Sequence, residues 1–68
     1  MEIGAHVITL VDKITTEGLD EVTIPKGTTG KVCEIYNDYL LVEIWGKQIP
    51  EEIWGVYDFY LNEVKQID

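Results

Sequence analysis

The stretch "TGKVCEIYNDYLLVEIW", residues 29–45, is typical of two short strands joined by a tight turn. The Asn-Asp pair at 37–38 suits a hairpin turn, because both residue types tolerate left-handed backbone angles. In the second strand successive side chains alternate between two faces. The even-numbered set is Leu40, Val42 and Ile44, and the odd-numbered set is Tyr39, Leu41, Glu43 and Trp45. In the first strand the alternation of apolar and polar side chains is interrupted at Val32, Cys33 and Ile35, which predicts a β-bulge.

The rest of the chain extends this pattern to an all-β fold. We predict strands at residues 5–11, 29–36, 39–45, 53–58 and 63–67. A polar stretch at 12–27 is predicted to be a long loop, parts of which fold back onto the core through Leu19, Val22 and Ile24. A short turn before the last strand is expected to place Leu61 in the core. Five short strands with these connections predict one small, strongly bent barrel domain spanning residues 1–68.

Charge is the clearest compositional signal. Thirteen Asp and Glu stand against five Lys and no Arg, and the net charge is −8. Nucleic-acid binders and proteins that dock on anionic membranes cluster basic residues, so both classes are disfavoured. The N-terminus "MEIGAHVITLVDK" lacks the features of a signal peptide, and the single cysteine excludes an internal disulfide. We therefore expect a cytoplasmic protein.

The segment "KGTTGKVCEIYNDYLLVEI", residues 26–44, resembles the core of SH3-like barrels that include KOW-type domains. Gly27, Gly30 and Val32 match a Gly-x-x-Gly-x-Val unit that opens a strand, and "LLVEI" supplies the partner strand. "LNEVKQI" looks like the terminal strand of such barrels, and the whole chain looks like short bacterial families of unknown function. The resemblance implies a five-stranded SH3-like barrel with a long first loop. Glycines permit the positive backbone angle and the close strand approach that a barrel corner requires.

Little in the sequence points to catalysis. His6 is the only histidine and Cys33 the only cysteine, and neither has an evident third group to complete a nucleophilic site. One histidine and one cysteine do not make a zinc site, and the adjacent carboxylates at 20–21 and 51–52 point to opposite faces of an extended chain. We predict no enzyme activity and no cofactor or metal.

The tetrapeptide EIWG occurs twice within residues 43–55 and raises the question of strand register. If paired residue numbers sum to an odd value such as 99, Trp45 lies opposite Trp54 on a face shared with Glu43. If the sum is even, Trp54 joins Ile44 on the core face and Trp45 points outward. The composition of the second strand favours the odd register, because Ile53, Gly55, Tyr57 and Phe59 resemble a core set.

The odd register predicts an outer aromatic patch with an acidic rim. Its candidate protein-binding residues are Trp45, Trp54, Leu41, Tyr39, Val56, Glu43, Glu52 and Asp58. Trp and Tyr dominate the centres of protein interfaces. The alternative is structural, with the 12–27 loop covering the patch and Leu19 or Ile24 packing on Trp45.

Three hypotheses follow for function. The first is a non-catalytic interaction or accessory module that binds a partner protein through the aromatic face, with a basic protein as one candidate partner. Homodimerisation through that face is compatible with this hypothesis. The second is an acidic inhibitor or immunity-type protein that occupies a nucleic-acid site on a basic partner. The third, from the fold resemblance alone, is a KOW-like RNA- or ribosome-associated domain.

Overall fold

The computed structural model describes the backbone of residues 1–68 and every side chain except that of Glu17. The fold is all-β, with seven strands and two single-turn 3₁₀ helices. The elements in chain order are β1 (His6–Thr9), β2 (Lys13–Glu17), β3 (Asp20–Ile24), β4 (Thr29–Ile35), β5 (Tyr39–Ile44), η1 (Glu51–Ile53), β6 (Gly55–Tyr60), η2 (Leu61–Glu63) and β7 (Val64–Gln66).

The strands form two sheets. Five of them lie in the order β6-β5-β4-β1-β7 with antiparallel neighbours, and β2 and β3 form a separate two-stranded sheet. Throughout the described chain, β6 and β7 remain the two edges of the large sheet, so its hydrogen bonds do not close a barrel. The all-β prediction is confirmed, and the predicted count of five strands is corrected to seven.

The extra strands come from the segment predicted as a long loop. β2 and β3 pair from Lys13 with Ile24 to Glu17 with Asp20, and Gly18 in the connecting turn has φ of +65°. Glycine adopts this left-handed angle without steric cost, which permits the two-residue connection. Ile24 is fully buried and Val22 packs against the core, as predicted. Leu19 does not fold back: it lies at the hairpin tip and is wholly exposed.

The hairpin β4–β5 matches the prediction in position but not in turn conformation. The Tyr36 backbone N–H donates to the Tyr39 carbonyl at 2.8 Å across the Asn-Asp turn. No residue other than glycine has a positive φ in the described backbone, so Asn37 and Asp38 do not use left-handed angles. The pairing register shifts between Val32 and Glu34, which confirms the predicted bulge.

The hairpin β5–β6 has the odd register. Paired residues run from Tyr39 with Tyr60 to Ile44 with Gly55, so each pair sums to 99. The even register is wrong. It would have placed Trp54 among the core residues, whereas Trp54 is 41% exposed. The core is Ala5, Val7, Ile24, Val32, Leu40, Val42, Ile44, Ile53, Tyr57, Phe59 and Val64.

The two motif glycines have different roles. Gly27 has φ of +89° in the turn before β4. At Gly30 a Cβ atom would lie 2.5 Å from Val42 Cγ1 and 2.9 Å from the Glu43 carbonyl oxygen. Gly30 therefore permits the close packing of β4 against β5.

The last two strands begin later than predicted, because each is preceded by a 3₁₀ helix. η1 occupies the start of the predicted strand 53–58, and β6 instead continues to Tyr60. Leu61, predicted to be a core residue, begins η2 and is 51% exposed. Leu61 is the first residue of a turn that the Tyr60 backbone N–H closes by donating to Glu63 Oε1, and at this position its side chain stays largely in solvent instead of packing in the core.

Candidate functional site

The candidate site lies on the side of β5 and β6 that faces away from the core. We call it the outer face and define it as the outward side chains of the two strands and of the residue after β5. These are Tyr39, Leu41, Glu43, Trp45, Val56, Asp58 and Tyr60, while the even-numbered residues of β5 are fully buried. The face exists because side chains alternate along a strand and the hairpin buries only one set.

Trp45 is the most prominent side chain of the outer face. It is 63% exposed, and its indole Nε1–H donates to Glu43 Oε1 at 2.8 Å. This bond orients the ring while leaving most of it in solvent. Neither Leu19 nor Ile24 covers it, because the first is wholly exposed and the second is in the core. The alternative in which Leu19 or Ile24 packs on Trp45 is therefore wrong, and the 12–27 segment instead reaches the opposite end of the outer face, where Lys13 Nζ lies 5.2 Å from the centroid of the Tyr60 ring.

Two depressions border Trp45, and both include Glu43. The larger has a volume of about 470 Å³ and extends across the sheet to β1 and the C-terminus; its other main lining residues are His6, Thr29, Lys31 and Ile67. The smaller, of about 360 Å³, is lined by Glu43, Ile44, Trp45, Gly55 and Val56. The Trp45–Glu43 pair thus stands between two open concave surfaces.

Trp54 is held differently. It is 41% exposed, and its indole Nε1–H donates to the Ile49 carbonyl at 2.9 Å, which fastens the ring to the β5–β6 connection. The strand ladder ends at the pair Ile44–Gly55, one residue short of the expected pair of tryptophans. Trp54 therefore lies outside the β5–β6 strand pairing, and its ring is bonded to the β5–β6 connection instead of being paired with Trp45.

The acidic residues of the predicted rim divide between two places. Glu43 and Asp58 lie on the outer face, Glu43 opposite Val56 and Asp58 opposite Leu41. Glu52 is in η1, where it lines a separate groove of about 550 Å³ together with Asp20 and Glu21 of β3. The structure thus does not bring Glu52 into the candidate patch, because η1 turns the chain toward the small sheet before β6 begins.

Further residues extend the outer face beyond the predicted set. The rings of Tyr36 and Tyr39 stack with centroids 4.8 Å apart, and Tyr60 lies directly opposite Tyr39. Lys31 on β4 pairs with Glu43, and His6 on β1 pairs with Lys31, so one row of side chains crosses the sheet. Residue numbering alone could not place Lys31 opposite Glu43, because the bulge between Val32 and Glu34 shifts the register set by the turn. The neighbour His6 required knowledge of the β1–β4 pairing.

His6 and Cys33 have separate partners. His6 Nδ1 lies 2.5 Å from Asp68 Oδ2, and its backbone N–H donates to Asp68 Oδ1 at 3.0 Å. The hydrogen bonds from the His6 side chain and backbone lower the pKa of the Asp68 carboxyl. Cys33 is half-buried, and its Sγ lies 3.4 Å from the Leu41 carbonyl oxygen. Among the side chains that the structure describes, no cluster of three His, Cys, Asp or Glu could hold a metal ion.

No family model, curated protein or solved structure matches this chain. In the described part of the chain, no helix has the length and apolar character needed to cross a membrane.

Proposed function

We propose that this chain is a non-catalytic protein-interaction or accessory module, an SH3-like barrel that acts in the cytoplasm and binds a partner protein through its outer face. The sheet order supports the fold assignment, because β4, β5 and β6 form a meander while the chain ends pair through β1 and β7. The β2–β3 hairpin fills the position of the long first loop, and η2 is a short turn before the last strand.

The observation that carries the proposal is the exposed and oriented indole of Trp45. Tryptophan is enriched among the residues that dominate binding energy at interfaces, where it fills or borders pockets. Small monomeric proteins rarely expose a contiguous aromatic and aliphatic surface without a use for it. Here Trp45, Val56 and Tyr60 of the outer face are all more than half exposed. A hydrogen bond to Glu43 already holds the ring, so little side-chain entropy remains to be lost on binding.

The charge of the chain indicates the chemistry of the partner. The net charge of −8 attracts basic proteins at long range and speeds their association. Glu43 and Asp58 place two of these charges on the outer face itself. The partner's contact surface is thus expected to combine apolar side chains with Lys or Arg.

The test is partner binding by the wild-type chain and by the variants Trp45→Ala and Val56→Lys. Both side chains are exposed, so the variants should fold, and each should weaken binding at least tenfold if Trp45 is the interface anchor. Ile14→Ala is the matched control, since Ile14 is equally exposed but lies on the hairpin β2. Undiminished binding by folded Trp45→Ala protein would refute the proposal, as would equal weakening by Ile14→Ala.

A second candidate, an acidic inhibitor of a basic nucleic-acid-binding protein, has its own supporting observation. Asp20, Glu21 and Glu52 line one groove of about 550 Å³ between β3 and η1. This candidate predicts steep weakening of binding with salt and competition by nucleic acid for the partner. It also predicts that Glu52→Gln weakens binding while Trp45→Ala does not, which separates it from the first proposal.

A further inference from the structure

We propose that the depression between Trp45 and Val56 binds an arginine side chain of the partner, with the guanidinium stacked on the indole and bonded to Glu43. This inference rests on the proposed function and names the chemistry that the outer face recognises.

The lining of the depression has one charged side chain. Glu43 is that residue, and the others are the aromatic ring of Trp45, the aliphatic side chain of Val56, Gly55, and Ile44, whose own side chain is buried in the core. The charge is therefore negative, and the surrounding walls are apolar. The depression is shallow and open to solvent, and its volume of about 360 Å³ leaves room for a single long side chain.

Glu43 has spare capacity to accept hydrogen bonds. Its Oε1 receives the Trp45 indole N–H, and a carboxylate has acceptor positions on both oxygens. Lys31 is its register partner on β4. Even so, the ion pairs among the described side chains are His6–Asp68 and Lys13–Glu63, so Glu43 has no cation bound to it.

These groups match an arginine better than a lysine. A guanidinium is planar, stacks on an indole face and donates N–H groups in a fixed fork to a carboxylate, whereas an ammonium is a compact and strongly hydrated charge. The aliphatic stem of the arginine would lie along Val56, which is 53% exposed. Asp58, two residues further along the same face of β6, adds negative potential.

The larger depression on the other side of Trp45 is less suited to a cation. Lys31 and His6 line it along with Glu43, and the ammonium of Lys31 would repel a guanidinium there. The depression on the Val56 side of the Trp45 indole is thus negatively charged, whereas the negative charge on the other side is offset by Lys31. The arginine belongs on the Val56 side.

The experiment follows the Trp45 indole N–H resonance in ¹⁵N–¹H spectra during titration with an N-acetylated, C-amidated Gly-Arg-Gly tripeptide. The chain has two tryptophans, so the Trp54→Phe variant assigns the signal. We expect a saturable shift with a Kd on the order of 1–10 mM, since one stacked and hydrogen-bonded side chain gives weak binding. The same tripeptide with citrulline, the neutral analogue of arginine, should leave the signal unchanged.

Two variants of the chain locate the cation. Glu43→Gln keeps an oxygen that can accept the indole N–H but removes the charge, and it should weaken binding about tenfold. Glu51→Gln removes the same charge from exposed η1, outside the depression, and should bind like wild type. Equal shifts with citrulline, no saturable shift, or full binding by folded Glu43→Gln protein would each overturn the arginine site. If any of these results were obtained and Trp45→Ala still weakened binding of the partner, the arginine site would be refuted while the proposed function would stand.

Discussion

Lys13 Nζ lies 2.9 Å from Glu63 Oε1, and this ion pair joins the start of the β2–β3 hairpin to η2. Both side chains are largely buried, at 18% and 21% exposure. Glu63 Oε1 also accepts the Tyr60 backbone N–H at 2.8 Å, and Lys13 Nζ lies 5.1 Å from the centroid of the Phe59 ring. One carboxylate thus stabilises both the turn before the last strand and the attachment of the hairpin.

We expect Lys13→Met to destabilise the fold by about 1–3 kcal/mol, because it leaves the Glu63 carboxylate poorly solvated and without its cation. Methionine preserves much of the apolar stem that packs beside Phe59. Urea unfolding measures the change. Lys65→Met is the control, since Lys65 is exposed on the edge strand β7 and should change stability by about 0.5 kcal/mol or less. Equal effects of the two variants would contradict a stabilising role for the Lys13–Glu63 pair.

Acid should remove the contribution of Glu63. Burial raises the pKa of its carboxyl, but the Tyr60 N–H and the Lys13 ammonium together lower it more, so the pKa in the folded state lies below the ordinary value. A lowered folded-state pKa means that the stabilisation is complete above the unfolded-state pKa of about 4.3 and is lost as pH falls through the folded-state value.

The comparison of wild type with Glu63→Gln isolates this group from Asp68, whose pKa is also lowered, by its hydrogen bonds with His6. We expect wild type to be more stable at pH 7 and the difference in unfolding free energy to shrink below about pH 4. A difference that stays constant from pH 7 to pH 2 would show that the Glu63 charge does not stabilise the fold.

Gly30→Ala should destabilise the protein by about 1–3 kcal/mol through overpacking. The new Cβ would lie 2.5 Å from Val42 Cγ1 and 2.9 Å from a backbone oxygen that cannot easily move. The neighbouring Thr29→Ala, at an exposed position of the same strand, should change stability by about 0.5 kcal/mol or less. Thermal unfolding of both variants tests this, and a neutral Gly30→Ala would mean that β4 and β5 are not so closely packed.

The two tryptophans should differ in accessibility to a neutral quencher such as acrylamide. Trp45 is 63% exposed and Trp54 41%, so protein carrying only Trp45 (Trp54→Phe) should be quenched more strongly than protein carrying only Trp54 (Trp45→Phe). Emission from Trp45 should also lie at longer wavelength. A shielded, blue-shifted Trp45 would indicate that its ring is covered in solution, for example by a second copy of the chain.

Much of the large sheet could be predicted from the alternation of side chains. Leu40, Val42 and Ile44 are apolar at every second position, and Tyr57 and Phe59 continue the same set on the next strand. Because only one face can be buried, this composition alone selected the odd register, which the structure has. The irregular order of apolar residues after Val32 likewise predicted the bulge.

The second sheet could not be recognised in the same way. β2 and β3 are short and rich in Thr, Glu and Asp, and their pairing depends on a turn at Gly18 and on burial of Ile24 by distant strands. The exposure of Leu19 and Leu61 could not be predicted for the same reason. Whether an apolar side chain is buried depends on which residues pack against it, and both of these side chains are left in solvent.

By itself, the sequence determined which side chains of the β5–β6 hairpin share a face, because that follows from the two-residue period of a strand. Tertiary structure alone decided which charges surround Trp45. Lys31 lies opposite Glu43 because the bulge in β4 shifts its pairing with β5, and His6 joins that row through the long-range pairing of β1 with β4. Glu52 lies in η1, where it lines a groove with β3 residues instead. Contacts between segments distant in sequence depend on how all the strands pack together, and no local pattern of residues encodes them.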